Sequence, residues 1–171
     1  QLFRGLEADL GSEIKRKQLE NELSLIFNTA PDIIAVVGFD GYFKRINPAA
    51  YDILGYSIEE LLSRPYNEFI HQDYISATNS ITATFPSISG SNYFENCYIT
   101  KSGKSVWLGW TYQQIPGEDL VYTVAKDITR QKELQRLLHD ATSLARIGAW
   151  EMELPAMQII WSDVTREIHE V

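Results

Sequence analysis

The sequence predicts an α+β fold: a five-stranded antiparallel sheet with short helices on one face, flanked by a helix at each end. Three observations lead there. Residues 32–47 read as strand, Asp40-Gly41 turn and strand, and an Asp-Gly pair between alternating apolar residues is the strongest short-range hairpin signal. Residues 48–85 then carry helical signals alone. Residues 93–127 close the domain with three runs rich in aromatic and β-branched residues, reversed at Ser102-Gly103 and Pro116-Gly117. Two strands, several helices and three strands pack most economically as one antiparallel sheet with its helices on a single face.

Each element has a local cause. In residues 1–29 leucines recur every fourth position at Leu2, Leu6 and Leu10, and Leu19, Leu23, Ile26 and Phe27 make a second apolar stripe, with Glu13 and Lys17 spaced for a surface ion pair. Pro31 ends that helix, because its ring and missing N–H cannot continue it. Asn47-Pro48 opens the next: the Asn is expected to cap free backbone N–H groups, and a Pro at the first helical position loses no hydrogen bond. Short helices follow over Ser57 to Leu62 and Tyr66 to Ile70, a longer one runs from about Asp73 to Phe85, and Pro86 to Asn92 is a loop. The closing strands are placed at 93–100, 104–115 and 119–127. Beyond Thr129, Leu134, Leu137, Ala141 and Leu144 alternate at spacings of three and four, a short coiled-coil seam with Arg130, Gln131, Lys132, Glu133 and Arg136 on its wet faces. The segment RIGAWEMELPAMQIIWSD then repeats the opening pattern: an alternating strand (Trp150, Met152, Leu154), a Pro155-Ala156 turn, a second strand, and Ser162 capping a helix with Val164 and Ile168.

Composition narrows the function classes. A net charge of −8, with no cluster denser in cations than Lys15-Arg16-Lys17, argues against binding a phosphate backbone. Cys97 is the one cysteine, so no disulfide can form within the chain and a reducing, cytoplasmic compartment is expected. No apolar run has the length of a membrane span, so no membrane contact is expected of this segment, although a parent protein is free to be membrane-anchored. Both ends read as cut from a longer chain.

The order of four motifs carries a family resemblance: FDGYFKRINPAAYDILGYSIEELLSRP, then FIHQDY, then ENCYITKSGKSVWL, then VAKDITRQKE. In that order they resemble the PAS family of signalling modules. The resemblance covers residues 22–130, with 145–171 similar to the opening of a second PAS domain. It implies a division into an N-terminal linker or coiled-coil helix (1–29), a PAS domain (30–128), a signalling helix (129–145) and a truncated second domain (146–171).

With the family register, Val37, Phe39, Phe94, Asn96, Tyr98, Leu108, Trp110, Tyr112 and Thr123 face the helices as the candidate ligand pocket, alongside Ala35, Val121 and Ala125. Asn96, Thr123 and the tyrosine hydroxyls are the groups able to orient a guest. Against this stands the reading that the aromatics fill the core and leave no cavity. No cofactor is predicted, and flavin and haem are both disfavoured by the resemblance. The light-sensing branch of the family uses a cysteine where this chain has Tyr66, Cys97 lies on a strand face pointing the other way, and haem-binding members use a histidine on the long helix, which DYISATNSITATF lacks. His71, His139 and His169 are expected to cap or to be solvated, and no His/Cys/carboxylate cluster has metal-ligand spacing.

The resemblance also makes Asp127 and Thr129 the transmission point, Thr129 capping the following helix and Asp127 pairing with a nearby cation. The segment is expected to be non-catalytic: a sensory module, responding to a small ligand or an upstream input, of a protein whose output domain, a histidine kinase by expectation, lies downstream. The alternatives are a ligandless dimerisation and spacer module, and a flavin-binding redox or light sensor that forms no cysteine adduct. A homodimer through the flanking helices is expected. The helix bearing Leu19, Leu23, Ile26 and Phe27 is expected to lie across the outer sheet face.

Overall fold

The structure is a computed structural model that describes residues 2–87, 89–114, 116–144, 150–153, 158–161 and 166, with side chains described within 11–142 and at Arg166. It contains two units, Gln1–Ile128 and Thr129–Val171. The first unit runs α1 (Leu2–Thr29), β1 (Ile33–Gly38), β2 (Phe43–Ile46), α2 (Ala49–Leu54), α3 (Ile58–Ser63), a 3-10 turn (Tyr66–Phe69), α4 (Gln72–Thr82), a second 3-10 turn (Phe85–Ser87), β3 (Asn92–Ile99), β4 (Ser105–Gln114) and β5 (Leu120–Asp127). The five strands form one sheet in the order β2-β1-β5-β4-β3, each pair antiparallel. The α+β architecture expected from the sequence is therefore the one observed.

Turn chemistry sets the sheet's register. Between β1 and β2 the chain reverses at Asp40-Gly41, where Gly41 sits at φ 84°, a backbone region that only glycine enters freely. Asp40 folds back to pair with Lys44 across the turn. Gly38 lies beneath that pair, and a Cβ there would push the ends of both side chains aside.

The helical segment owes its path to local signals and to three backbone bonds that fasten it to the strands. α2 stops at Gly55, in the left-handed conformation at φ 77°. α3 starts with a capping box: the Ser57 hydroxyl accepts from Glu60 N–H at 3.2 Å and the Glu60 carboxylate accepts from Ser57 N–H at 2.8 Å. His71 precedes α4 and its Nδ1 accepts from Asp73 N–H at 3.3 Å. Tyr66 N–H donates to Gly41 O, His71 N–H to Cys97 O and Lys101 N–H to Leu54 O. Held this way, the helices place Leu54, Leu61, Phe69 and Ile70 over Ile33, Ala35, Leu108 and Ala125, all buried. The expected long helix to Phe85 is broken at Thr82, and Phe85 belongs to a separate 3-10 turn.

Two expectations are corrected. Asn47 does not cap α2 with its side chain; Pro48 holds the N-cap position, without a side-chain cap hydrogen bond, and the Asn47 amide is engaged elsewhere, as described below. Nor does α1 cover the outer sheet face: Leu19, Leu23 and Ile26 are 56, 57 and 61% exposed. Tyr93, Tyr122 and Val124 on that outer face are exposed as well. The backbone explains both outcomes, since α1 runs as one helix to Thr29 and meets the domain at its last turn.

In the second unit, α5 (Thr129–Leu144) carries Leu134, Leu137 and Leu138 exposed, with an Arg136 to Asp140 ion pair at 3.2 Å. β6 (Trp150–Glu153) and β7 (Gln158–Trp161) form an antiparallel pair with Trp150 opposite Trp161. Leu154, the Pro155-Ala156 turn, Ser162, Val164, Ile168 and His169 lie outside the described residues, as do the side chains of Leu2, Leu6, Leu10 and Leu144.

Candidate functional site

Trp110, in the middle of β4, is the centre of the helix-facing layer and only 4% exposed. β4 pairs with β3 on one side and β5 on the other, and strand alternation brings Leu108, Trp110 and Tyr112 to the same face. The Trp110 ring stacks against Phe94 (centroids 6.4 Å, planes 15° apart) and Phe43 (6.5 Å, 25°), while Tyr98 lies tilted at 5.7 Å. A buried indole N–H must find an acceptor. It donates to Asn96 Oδ1 at 2.8 Å, and Asn96 Nδ2 donates to the Thr78 hydroxyl at 3.1 Å. Thr78 is a buried residue of α4. One polar chain thus joins β4, β3 and α4 through the middle of the core.

Beside this chain lies a cavity of about 30 Å3. Of the residues predicted to line a pocket, Val37, Phe94, Asn96, Tyr98, Trp110, Tyr112 and Thr123 are on its wall. The other two are close by: Leu108 is fully buried in the main core, and half-buried Phe39 packs with the Phe85, Tyr112 and Val121 cluster. The wall also includes Phe43, Tyr66, Thr78, Thr82 and Phe85, which the strand register did not supply. Thr78 and Thr82 stand four apart on α4, the spacing that puts two residues on one helix face, and that was the available signal. None of the lining residues is charged.

Size and chemistry limit what the cavity does. About 10–15 Å3 admits one water, so the space takes roughly two, whereas small-molecule pockets run to about 300–1,000 Å3. A larger guest has to move rings or α4. Burial pushes the Tyr98 hydroxyl far up from its ordinary range, with neighbouring Tyr66 adding to the shift, and burial raises Tyr112 as well. These groups remain neutral hydrogen-bonding hydroxyls at physiological pH, and a charged guest would find no counter-charge.

Cys97 points away from the cavity on the opposite strand face, buried, with burial pushing its thiol up; such a thiol is poorly reactive. His139 is exposed on α5. Among the described residues no group of His, Cys, Asp and Glu is arranged to hold a metal, and no helix is long and apolar enough to cross a membrane. Asp127 ends β5 in register with Leu108, Ile128 N–H donates to Trp107 O at 2.9 Å, and Thr129 opens α5.

The sheet order, the helices gathered on one face and the aromatic-lined cavity between them define a small α+β architecture whose relatives are recognisable. Residues 21–86 match the family profile described as PAS domain. The chain is 28% identical over 129 residues to sporulation kinase C of Bacillus subtilis, covering 72% of this chain and 30% of that protein. It is 28% identical over 122 residues to a methyl sulfide methyltransferase-associated sensor of Methanosarcina acetivorans, covering 70% and 12%. The fold superposes on the crystal structure of the PAS domain of an HTR-like protein from Haloarcula marismortui with a TM-score of 0.60 at 24% identity, covering 68% of this chain and 98% of that one. The first unit, with its sheet over Ile33–Asp127, contains a PAS domain. The chain spans less than a third of either full-length relative.

Truncating the central indole tests this packing. Trp110→Ala is expected to destabilise the protein by about 3–5 kcal/mol in chemical denaturation. Trp110→Phe keeps most of the volume but strips Asn96 Oδ1 of its donor, for about 1–3 kcal/mol. A Trp110→Ala cost within about 0.5 kcal/mol of zero, the range of surface substitutions, would contradict the central position of the ring.

Proposed function

We propose that this PAS domain is the sensory module of a multidomain signalling protein of the histidine kinase class. A small uncharged ligand, or movement of an upstream helix, shifts α4 against the sheet, and the shift leaves through Asp127 and Thr129 into α5. The observation that carries the reading is the Trp110, Asn96 and Thr78 chain. It is a polar tie between sheet and α4 and it borders the cavity, so a guest that competes for Asn96 or displaces Trp110 changes how α4 is held. A ligand shifts such an equilibrium only by its differential affinity for the two packings. The kinase assignment draws on the relatives, a sporulation kinase and a sensor, and places catalysis outside this chain. The single buried thiol supports a cytoplasmic setting.

A ligandless spacer is the second reading, favoured by the small volume of the cavity. Thermal melting separates the two. A ligand at about a hundred times its Kd stabilises by about 2.7 kcal/mol, so a panel of small neutral compounds is expected to yield a melting shift that Trp110→Phe weakens. A panel including aromatic and aliphatic compounds that shifts nothing favours the spacer.

We further propose a parallel homodimer through the flanking helices. Leu19, Leu23 and Ile26 on α1 and Leu134 and Leu137 on α5 are exposed apolar stripes at heptad spacing. Removing residues 1–26, which takes away the whole α1 stripe, is expected to shift sedimentation from dimer towards monomer. If the shortened chain dimerises as tightly as the full one, α1 is not the dimer contact.

A further inference from the structure

We infer that Asn47, with Arg45 beside it, is the joint through which displacement of α1 enters the domain. The need for such a joint is written in the helix end. In an α-helix the Phe27 carbonyl would accept from the N–H four residues on, and that residue is Pro31, which has none. Its neighbour Ile26 O is served normally by Ala30 N–H at 3.0 Å. Asn47 Nδ2 fills the gap, donating to Phe27 O at 3.1 Å, and donates a second time to Asp32 O at 3.0 Å. On its other side Asn47 Oδ1 accepts from Ile34 N–H at 2.9 Å, and Asn47 N–H donates to Ile34 O at 3.0 Å.

Asn47 is fully buried and every hydrogen of its amide is used. The amide orientation is unambiguous, since turning it over would set an oxygen against two carbonyls and an NH2 against the Ile34 N–H. Arg45, two residues back on β2, lays its guanidinium over the Phe27 ring at 4.3 Å. The last turn of α1, the connection at 30–32 and the first residues of β1 therefore meet on two side chains, Arg45 on β2 and Asn47 just past its end. With Leu19, Leu23 and Ile26 exposed, the anchorage of α1 on the domain is concentrated at Phe27. A rotation or slide of α1 changes the Phe27 carbonyl first, and Asn47 conveys the change to Ile34 in β1, which lies between β2 and β5.

Only the direction of signal flow rests on the sensory reading; the joint itself does not. Residue-resolved amide exchange on the 171-residue chain tests it. Asn47→Asp keeps an acceptor for Ile34 but turns oxygen towards the two carbonyls. Amide exchange over residues 25–30 is expected to rise on the order of tenfold or more while strands β4 and β5 keep their protection, a local opening. Phe27→Ala alters a helix side chain without touching the core and is expected to accelerate the Ile34 amide. Uniform acceleration across the domain in Asn47→Asp would mean a merely structural role and overturn the inference, as would unchanged exchange at residues 25–30. An Ile34 amide indifferent to Phe27→Ala overturns the transmission. Because no ligand or output enters these readouts, a negative ligand panel leaves this result standing.

Discussion

The fold turns on the problem of burying one indole. A five-stranded antiparallel sheet with helices on a single face has one dry side, and Trp110 occupies its middle. The ring's area favours burial strongly, but its N–H costs on the order of 1–3 kcal/mol if left without an acceptor. Asn96 meets that need and brings a second, for its own NH2 needs an acceptor too. The Thr78 hydroxyl supplies it from α4. The position of α4 is therefore fixed by polar chemistry as well as by apolar contact. The aromatic rings around Trp110, stacked on two sides, leave only the small cavity at the edge of the chain.

The periphery follows a similar logic with different atoms. Where α1 ends, a proline removes a donor and Asn47 replaces it. Where the helical segment crosses the sheet, backbone N–H groups of Tyr66, His71 and Lys101 reach carbonyls of Gly41, Cys97 and Leu54. Surface ion pairs such as Lys101 with Glu60 at 2.7 Å add little individually, but this one ties the β3–β4 turn to α3, and it holds the Glu60 carboxyl below its usual range together with the Ser57 N–H. The buried amides and the backbone ties define the geometry, and the exposed charges trim it.

Strands were legible because alternation is a short, local signal. Val37, Asn96, Trp110 and Thr123 face the helices as the period of two requires, and the Asp40-Gly41 and Ser102-Gly103 turns lie where their residues place them. The parts of the cavity wall that came from α4 and the 3-10 turns, Thr78, Thr82, Phe85 and Tyr66, were harder to read. They depend on helix phase and on where a helix breaks, and the break after Thr82 has no strong signal before Pro86. Asn47 was misread for a different reason. Asn before Pro is locally the pattern of a helix cap, but the donor missing at Pro31, sixteen positions earlier in the chain, competes for the same amide and wins. The apolar stripe of α1 was read correctly as apolar and assigned wrongly to the sheet, since a stripe says that a surface is sticky and not what it meets.

The Trp110 indole N–H is the most direct probe of the central tie. Its exchange with solvent can be followed by NMR in the intact chain, with its resonance assigned by its loss in Trp110→Phe. The indole proton is expected to exchange as slowly as the protected amides of β4 and β5, because it leaves Asn96 only when the core opens. Exchange at the rate of a solvent-exposed indole would show that the bond to Asn96 does not hold Trp110 in place, and would contradict the account of how the sheet and α4 are joined.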